Sequence, residues 1–331
     1  MVARCNERKE TAKYIIGRLT VRKPTLLAIL LLVVGINPIA PQQTHAQEVL
    51  VAKKTSAQPN SPYRKRKQLD KLLEEGRRLM LAGNLPSAIA RYQQAAKLSP
   101  KNARIYSSIG YIQAEQKNYS AAVAAYKQAI ALAPNHSDFY YALGYCLGQM
   151  GKNDDAAAAY RQTIELDPNN LNAYMGLGVV LFREKDYKGA LQAYQQVLDR
   201  DPNNGSANGL MGILLLQQGK SEEALTPLQK AAMQEPGNIE VLQALATAWL
   251  NQGNMTAGLM ALRQAAQLNP RNVGVYMQMG KILQNQNDFN GALEAFRHAL
   301  SIQPNLVEAQ KAIREILLNT PETRRSIEPS L

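Results

Sequence analysis

Small and large apolar residues follow one another along this chain in a pattern that repeats every 34 residues. Small residues stand at Ala88, Ala122, Ala156, Ala190, Ala224, Gly258 and Ala292. Four places after each comes a large one: Tyr92, Tyr126, Tyr160, Tyr194, Leu228, Leu262 and Phe296. That offset is one helical turn, so each pair shares a helix face. Upstream of each pair lies a second small column: Gly76, Gly110, Gly144, Gly178, Gly212, Ala246 and Gly280. Glycine inside a helix costs roughly 1 kcal/mol relative to alanine, so its recurrence needs a physical reason. The pattern predicts two helices per period, crossing so closely at the small columns that a side chain would not fit.

Prolines set the frame: Pro100, Pro134, Pro168, Pro202, Pro236, Pro270 and Pro304 each close a second helix. The blocks run 69–102, 103–136, 137–170, 171–204, 205–238, 239–272 and 273–306. Asn102, Asn170, Asn204, Asn238 and Asn272 fall just before a first helix, where the side chain can accept a hydrogen bond from an unpaired backbone N–H. His136 interrupts that column. Gly83, Gly151, Gly219 and Gly253 sit in the turn between helices, where positive φ costs glycine little. A fixed period of this size marks stacked units that share one long, thin core, and one elongated domain is expected.

These columns resemble the tetratricopeptide repeat family, whose helix-turn-helix unit carries W-x2-L-G-x2-Y, then A-x3-F, then P. Tyr140, Leu143, Gly144, Ala156, Tyr160 and Pro168 occupy the family places in one block. Leu147, Asn208, Gly258 and Leu262 depart from it. The resemblance covers residues 69 to about 318. It implies an all-α fold, a right-handed α-solenoid of seven 34-residue repeats over 67–318, with a capping helix at 307–318. Ala309, Ala312, Ile313, Ile316 and Leu317 form the amphipathic stripe of that cap. Asp70, Lys71, Glu74, Glu75, Arg77 and Arg78 mark the opposite end as water-facing.

The net charge of +12 suggests a polyanion partner until it is located. Residues 1–78 hold 16 basic and six acidic groups, which leaves 22 basic against 20 acidic over 79–331. The repeat region is nearly neutral, and nucleic-acid binding loses its support. Residues 1–46 read as a Sec-type signal peptide: a basic lead (Arg18, Arg22, Lys23), an apolar run from Thr25 to Ile36, and Thr44-His45-Ala46 as a cleavage pattern. That run is shorter than the roughly 20 residues of a spanning helix, which favours cleavage after Ala46 over an anchor. The expected location is the periplasm or an equivalent extracytoplasmic space. Residues 47–66, with Pro59, Pro62 and Arg64-Lys65-Arg66-Lys67, read as a basic, disordered linker able to touch anionic membrane. Residues 319–331 read as a flexible tail.

Chemistry is scarce. His136 and His298 lie almost five blocks apart, and no HExxH, nucleophile elbow, phosphate loop, dinucleotide fingerprint or CxxC pair occurs. No catalytic, metal or cofactor residues are assigned, and a non-enzyme is expected. Cys146, the single cysteine after the signal, reads as a small buried hydrophobe.

The family resemblance implies recognition instead, through places 2, 5, 9, 12 and 13 of each block on a concave face. Carried over, these are Ser107, Tyr111 and Glu115; Asp138, Tyr141, Tyr145 and Gln149; Asn172, Met175, Val179, Phe182 and Arg183; then Ile213, Leu216 and Gln217. Tyrosine offers broad contact at low entropy cost. The same rings also suit the seam between adjacent first helices, and both roles stay open. The lysine, asparagine and arginine clamp that some relatives use for a C-terminal carboxylate is missing. Together with the expected signal, the resemblance implies an exported bacterial tetratricopeptide repeat protein. It would bind an apolar or aromatic segment of an exported or membrane protein as an adaptor or assembly factor. A self-associating scaffold and a substrate-recruiting subunit of an envelope enzyme are the alternatives.

Overall fold

The computed structural model describes residues 61–319. The expected signal (1–46), the linker up to residue 60 and the tail from residue 320 lie outside the described residues. Fifteen helices and no strands occur within them. The described chain divides into two compact units at Lys152 and Asn153, where one elongated domain was expected. The division falls inside the block 137–170, in the turn between its two helices.

The first unit holds α1 (Pro62–Leu81), α2 (Leu85–Leu98), α3 (Ala103–Glu115), α4 (Tyr119–Leu132) and α5 (Ser137–Gln149). Each packs on the next, and α3 also reaches α5. The second holds α6 (Asn153–Leu166), α7 (Leu171–Arg183), α8 (Tyr187–Leu198), α9 (Gly205–Gln217), α10 (Ser221–Gln234), α11 (Ile239–Asn251), α12 (Met255–Leu268), α13 (Val273–Asn285), α14 (Phe289–Ile302) and α15 (Val307–Asn319). Here too successive helices pack in order, and α9 reaches α11.

The small columns sit where the pattern put them. Ala122, Ala156, Ala190, Ala224 and Ala292 are fully buried. The room denied at the glycines is taken by the large residue of the same block. A methyl on Gly110 would stand 3.0 Å from the Tyr126 ring, and on Gly280 2.6 Å from Phe296. At Gly178 it would collide with Tyr194. At Gly212 both the Leu228 side chain (2.5 Å) and the Ala224 carbonyl (3.3 Å) intervene. The expectation of helix against helix thus becomes ring against backbone. Burying each such side chain stabilises the stack by about 1.5–3 kcal/mol.

Helix ends follow the predicted caps. Asn170, Asn204 and Asn238 accept from the N–H of Ala173, Ala207 and Val241 at 3.0, 2.9 and 3.3 Å. His136 makes no cap bond; its ring stacks on Phe139 at 4.1 Å. Gly83, Gly151, Gly219 and Gly253 have φ of 75°, 74°, 78° and 76°, and Lys117, Lys185 and Asn287 adopt 61°, 66° and 62° at the equivalent turns.

Two expectations change. The linker was to run helix-free to Arg66, yet α1 begins at Pro62. Ser61 Oγ accepts from the Arg64 N–H at 3.3 Å, and proline suits a first helical position whose N–H needs no partner. The α15 stripe is buried at Ala309 and Ile316, but Leu317 and Leu318 remain exposed, since no further helix follows in the described residues.

Candidate protein-binding surface

Helices α3, α4 and α5 bring an aromatic cluster to the surface of the first unit. Tyr111 on α3 and Tyr145 on α5 are 47% and 41% exposed. Glu115 stands one turn along α3 from Tyr111; loss of hydration and then that carboxylate push the Tyr111 phenol above the ordinary range. The Tyr145 and Tyr119 rings meet edge to face with centroids 6.3 Å apart. Burial, followed by Tyr119, pushes Tyr145 up to about 12. Tyr126 beneath them is raised further, by burial first and then by Cys146, Tyr111 and Glu115. With Tyr111, Tyr126 and Tyr145 raised and therefore neutral near pH 7, the cluster offers aromatic faces and hydrogen-bonding tips together with the exposed Glu115 carboxylate.

Other predicted residues fare differently. Tyr141 is partly buried, and burial raises its phenol. Ser107 and Gln149 are also partly buried, and Asp138 is exposed. In the second unit Phe182 packs against Tyr187, with centroids 5.9 Å apart. Arg183 is half-buried beside Asn153 Oδ1 at 3.5 Å; burial lowers its pKa, while Tyr160 and Tyr194 oppose that shift. Asn153 in turn donates to Glu184. Met175 is only 9% exposed and Val179 is buried as well, so both belong to the core and not to a binding surface. Their helix, α7, is apolar on most sides, with Leu177, Val180 and Leu181 buried too.

Tyr119 and Tyr187 were missed. They occupy the same place in their blocks, the opening of a second helix, a column that reads Leu85, Tyr119, Asn153, Tyr187, Ser221, Met255 and Phe289. Asn153 and Ser221 of that column meet Arg183 and Asn251 of the following block. The column is a junction between blocks, and its mixture of aromatic and polar members hid it.

Among the described residues no group of three His, Cys, Asp or Glu side chains could hold a metal ion. No described helix is long and apolar enough to cross a membrane.

Nested helix pairs with ring-over-glycine packing define an all-α tetratricopeptide repeat fold. The family model described as the Cilia and flagella-associated protein 70 C-terminal domain matches residues 45–315, and the chain belongs to this tetratricopeptide repeat family. Its fold is similar to that of a tetratricopeptide repeat protein from Parabacteroides merdae: TM-score 0.57, 17% identity, 76% of this chain and 99% of that one. It is also similar to the C-terminal part of a repeat-containing protein from Cytophaga hutchinsonii: TM-score 0.61, 14% identity, 73% of this chain and 99% of that one. A third is YrrB, described as a TPR protein with an unusual peptide-binding site: TM-score 0.52, 23% identity, 58% and 99% coverage. No curated protein sequence matches the chain. The fold is one that presents rows of helix surfaces to protein partners.

Proposed function

We propose that the chain is a non-enzymatic adaptor or assembly factor that holds a segment of a partner polypeptide against the Tyr111–Tyr145 surface. One observation carries this reading: two rings on one unit, Tyr111 and Tyr145, are nearly half exposed, and Tyr145 is braced edge to face by Tyr119. Tyrosine rings have few rotatable bonds and lose little entropy on binding, which makes them good anchors. An apolar or aromatic segment suits the ring faces, and one backbone or side-chain donor suits Glu115. The signal expected at residues 1–46 supports work outside the cytoplasm, on exported or membrane proteins. Arg64, Lys65, Arg66 and Lys67, all exposed at the start of α1, add a peripheral contact with anionic membrane.

A photoreactive residue at position 145, expressed in cells that are then fractionated, tests this. Capture of a defined chain in the extracytoplasmic fraction, lost on Tyr111→Ala, is the expected result. Capture only from positions 64–67, or only in the cytoplasm, defeats it. A second reading, self-association, is favoured by the opening of about 440 Å³ at the last described helix, lined by Leu300, Ile313, Leu317 and Leu318. Sedimentation that grows with concentration would support it.

A further inference from the structure

The fifth block breaks the repeat in three columns at once, and the three departures line one cavity. Asn208 stands where Tyr106, Tyr140, Tyr174 and Tyr276 place a ring. Pro227 stands where Ala125, Ala159, Ala193, Ala261 and Ala295 stand in other blocks. Lys230 replaces the amide of Gln94, Gln128, Gln162, Gln196 and Gln264. All three face an opening of about 650 Å³ among α8, α9 and α10 in the second unit, within the size range of small-ligand and short-peptide sites.

Each change gives the cavity a property it would otherwise lack. Where the ring is missing, partly buried Met211 and buried Leu215 form an apolar floor, with Leu191 at one side. Asn208 is itself buried and donates to the Pro202 carbonyl at 3.1 Å, a task Gln264 and His298 perform for Pro236 and Pro270 in later blocks. Lys230, at the place of Gln264 and His298, is thereby relieved of that task. It makes no ion pair among the described residues, because the cavity's one carboxylate, Glu223, is paired with Lys220 at 3.5 Å. Pro227, inside α10, has no N–H to give the Glu223 carbonyl four residues back, which leaves a backbone acceptor at the rim.

We infer that this cavity is a second polypeptide-binding site, one that takes a short segment carrying an apolar side chain next to a carboxylate. The apolar side chain sits on Met211 and Leu215 in the space the ring vacates. The carboxylate meets Lys230, and a backbone N–H of the segment meets the Glu223 carbonyl. Gln192 and Gln195 on α8 supply the remaining amide partners. The site lies on different helices from the tyrosine surface, so either can fail alone.

Methyl-labelled full-length chain, titrated with N-acetyl-Leu-Leu as the free acid and as the amide, tests it. The acid should shift the Met211, Leu215 and Leu191 methyls and bind about fivefold more tightly than the amide. Asn208→Tyr should abolish the shifts. Lys230→Gln, at an exposed position, should bring the acid down to the level of the amide, and it decides the matter alone if Asn208→Tyr fails to fold. Equal binding of acid and amide, shifts that spare these methyls, or octanoate binding as well as the dipeptide acid would each overturn the inference.

Discussion

Phe296 lies over Gly280 so closely that a methyl group added to the glycine would come within 2.6 Å of the ring edge. Helix propensity alone makes alanine about 1 kcal/mol better than glycine there. The steric cost outweighs it. Gly280→Ala is therefore expected to lower stability by about 1–3 kcal/mol, read as a lower thermal midpoint by circular dichroism. The sixth block supplies the remedy, since it pairs Ala246 with Leu262, both fully buried. Adding Phe296→Leu to Gly280→Ala should recover most of the loss. Failure to recover would mean that the ring is not what the glycine makes room for.

Much of this architecture was legible because each contact recurs. One ring over one glycine is weak evidence, but the same pair at Gly110 and Tyr126, Gly178 and Tyr194, and Gly280 and Phe296 leaves little choice. The start of α1 was not legible: Pro62 breaks a helix at interior positions and opens one at the first, and only the Ser61 cap decides between them. Depth was also hidden. Tyr141 and Met175 occupy the same place in successive blocks, yet one is partly exposed and the other buried. Periodicity names a face, whereas burial depends on the size of what packs against it. The Tyr119–Tyr145 contact needed two helices from different blocks, a distance that no single-block motif encodes.

The turns between helices make a second test. At Lys117 and Lys185 a side chain is held at φ of 61° and 66°, a region that costs non-glycine residues about 1–2 kcal/mol. Four equivalent turns use glycine. Lys117→Gly and Lys185→Gly should stabilise the fold by up to about 1 kcal/mol each, after subtraction of the extra freedom glycine has in the unfolded chain. Gly219→Ala should destabilise by a similar amount. Chemical denaturation of the three variants measures both signs.

Cys146 is buried on α5, and burial pushes its thiol up to about 12. The reactive thiolate is then on the order of a thousandfold scarcer than at an ordinary cysteine. In a Cys5→Ser chain, alkylation by iodoacetamide at pH 8 should be very slow in the folded state and rapid in denaturant. Fast alkylation of the native protein would show that α5 opens locally.

Tyr145 links the candidate surface to pH. Its pKa is pushed up to about 12 from 10.0 because burial and the Tyr119 hydroxyl favour the neutral phenol in the folded chain. A raised folded-state pKa means that the unfolded chain releases its proton first as pH climbs. The contribution to stability is therefore complete below about pH 10 and disappears as pH rises through 12. Tyr111, Tyr126 and Tyr194 are raised as well and act in the same direction. Alkaline unfolding followed by circular dichroism should thus begin above pH 10 and coincide with late phenol ionisation seen by ultraviolet absorbance. Tyr145→Phe should remove one late-titrating phenol and make stability less dependent on pH in that window. Tyr119→Phe keeps the ring but removes the hydroxyl, so Tyr145 should ionise earlier. If the Tyr145 titration in Tyr119→Phe, isolated as its difference from Tyr119→Phe/Tyr145→Phe, matched that isolated as the difference between the unmodified chain and Tyr145→Phe, the influence of the Tyr119 hydroxyl on Tyr145 would be disproved.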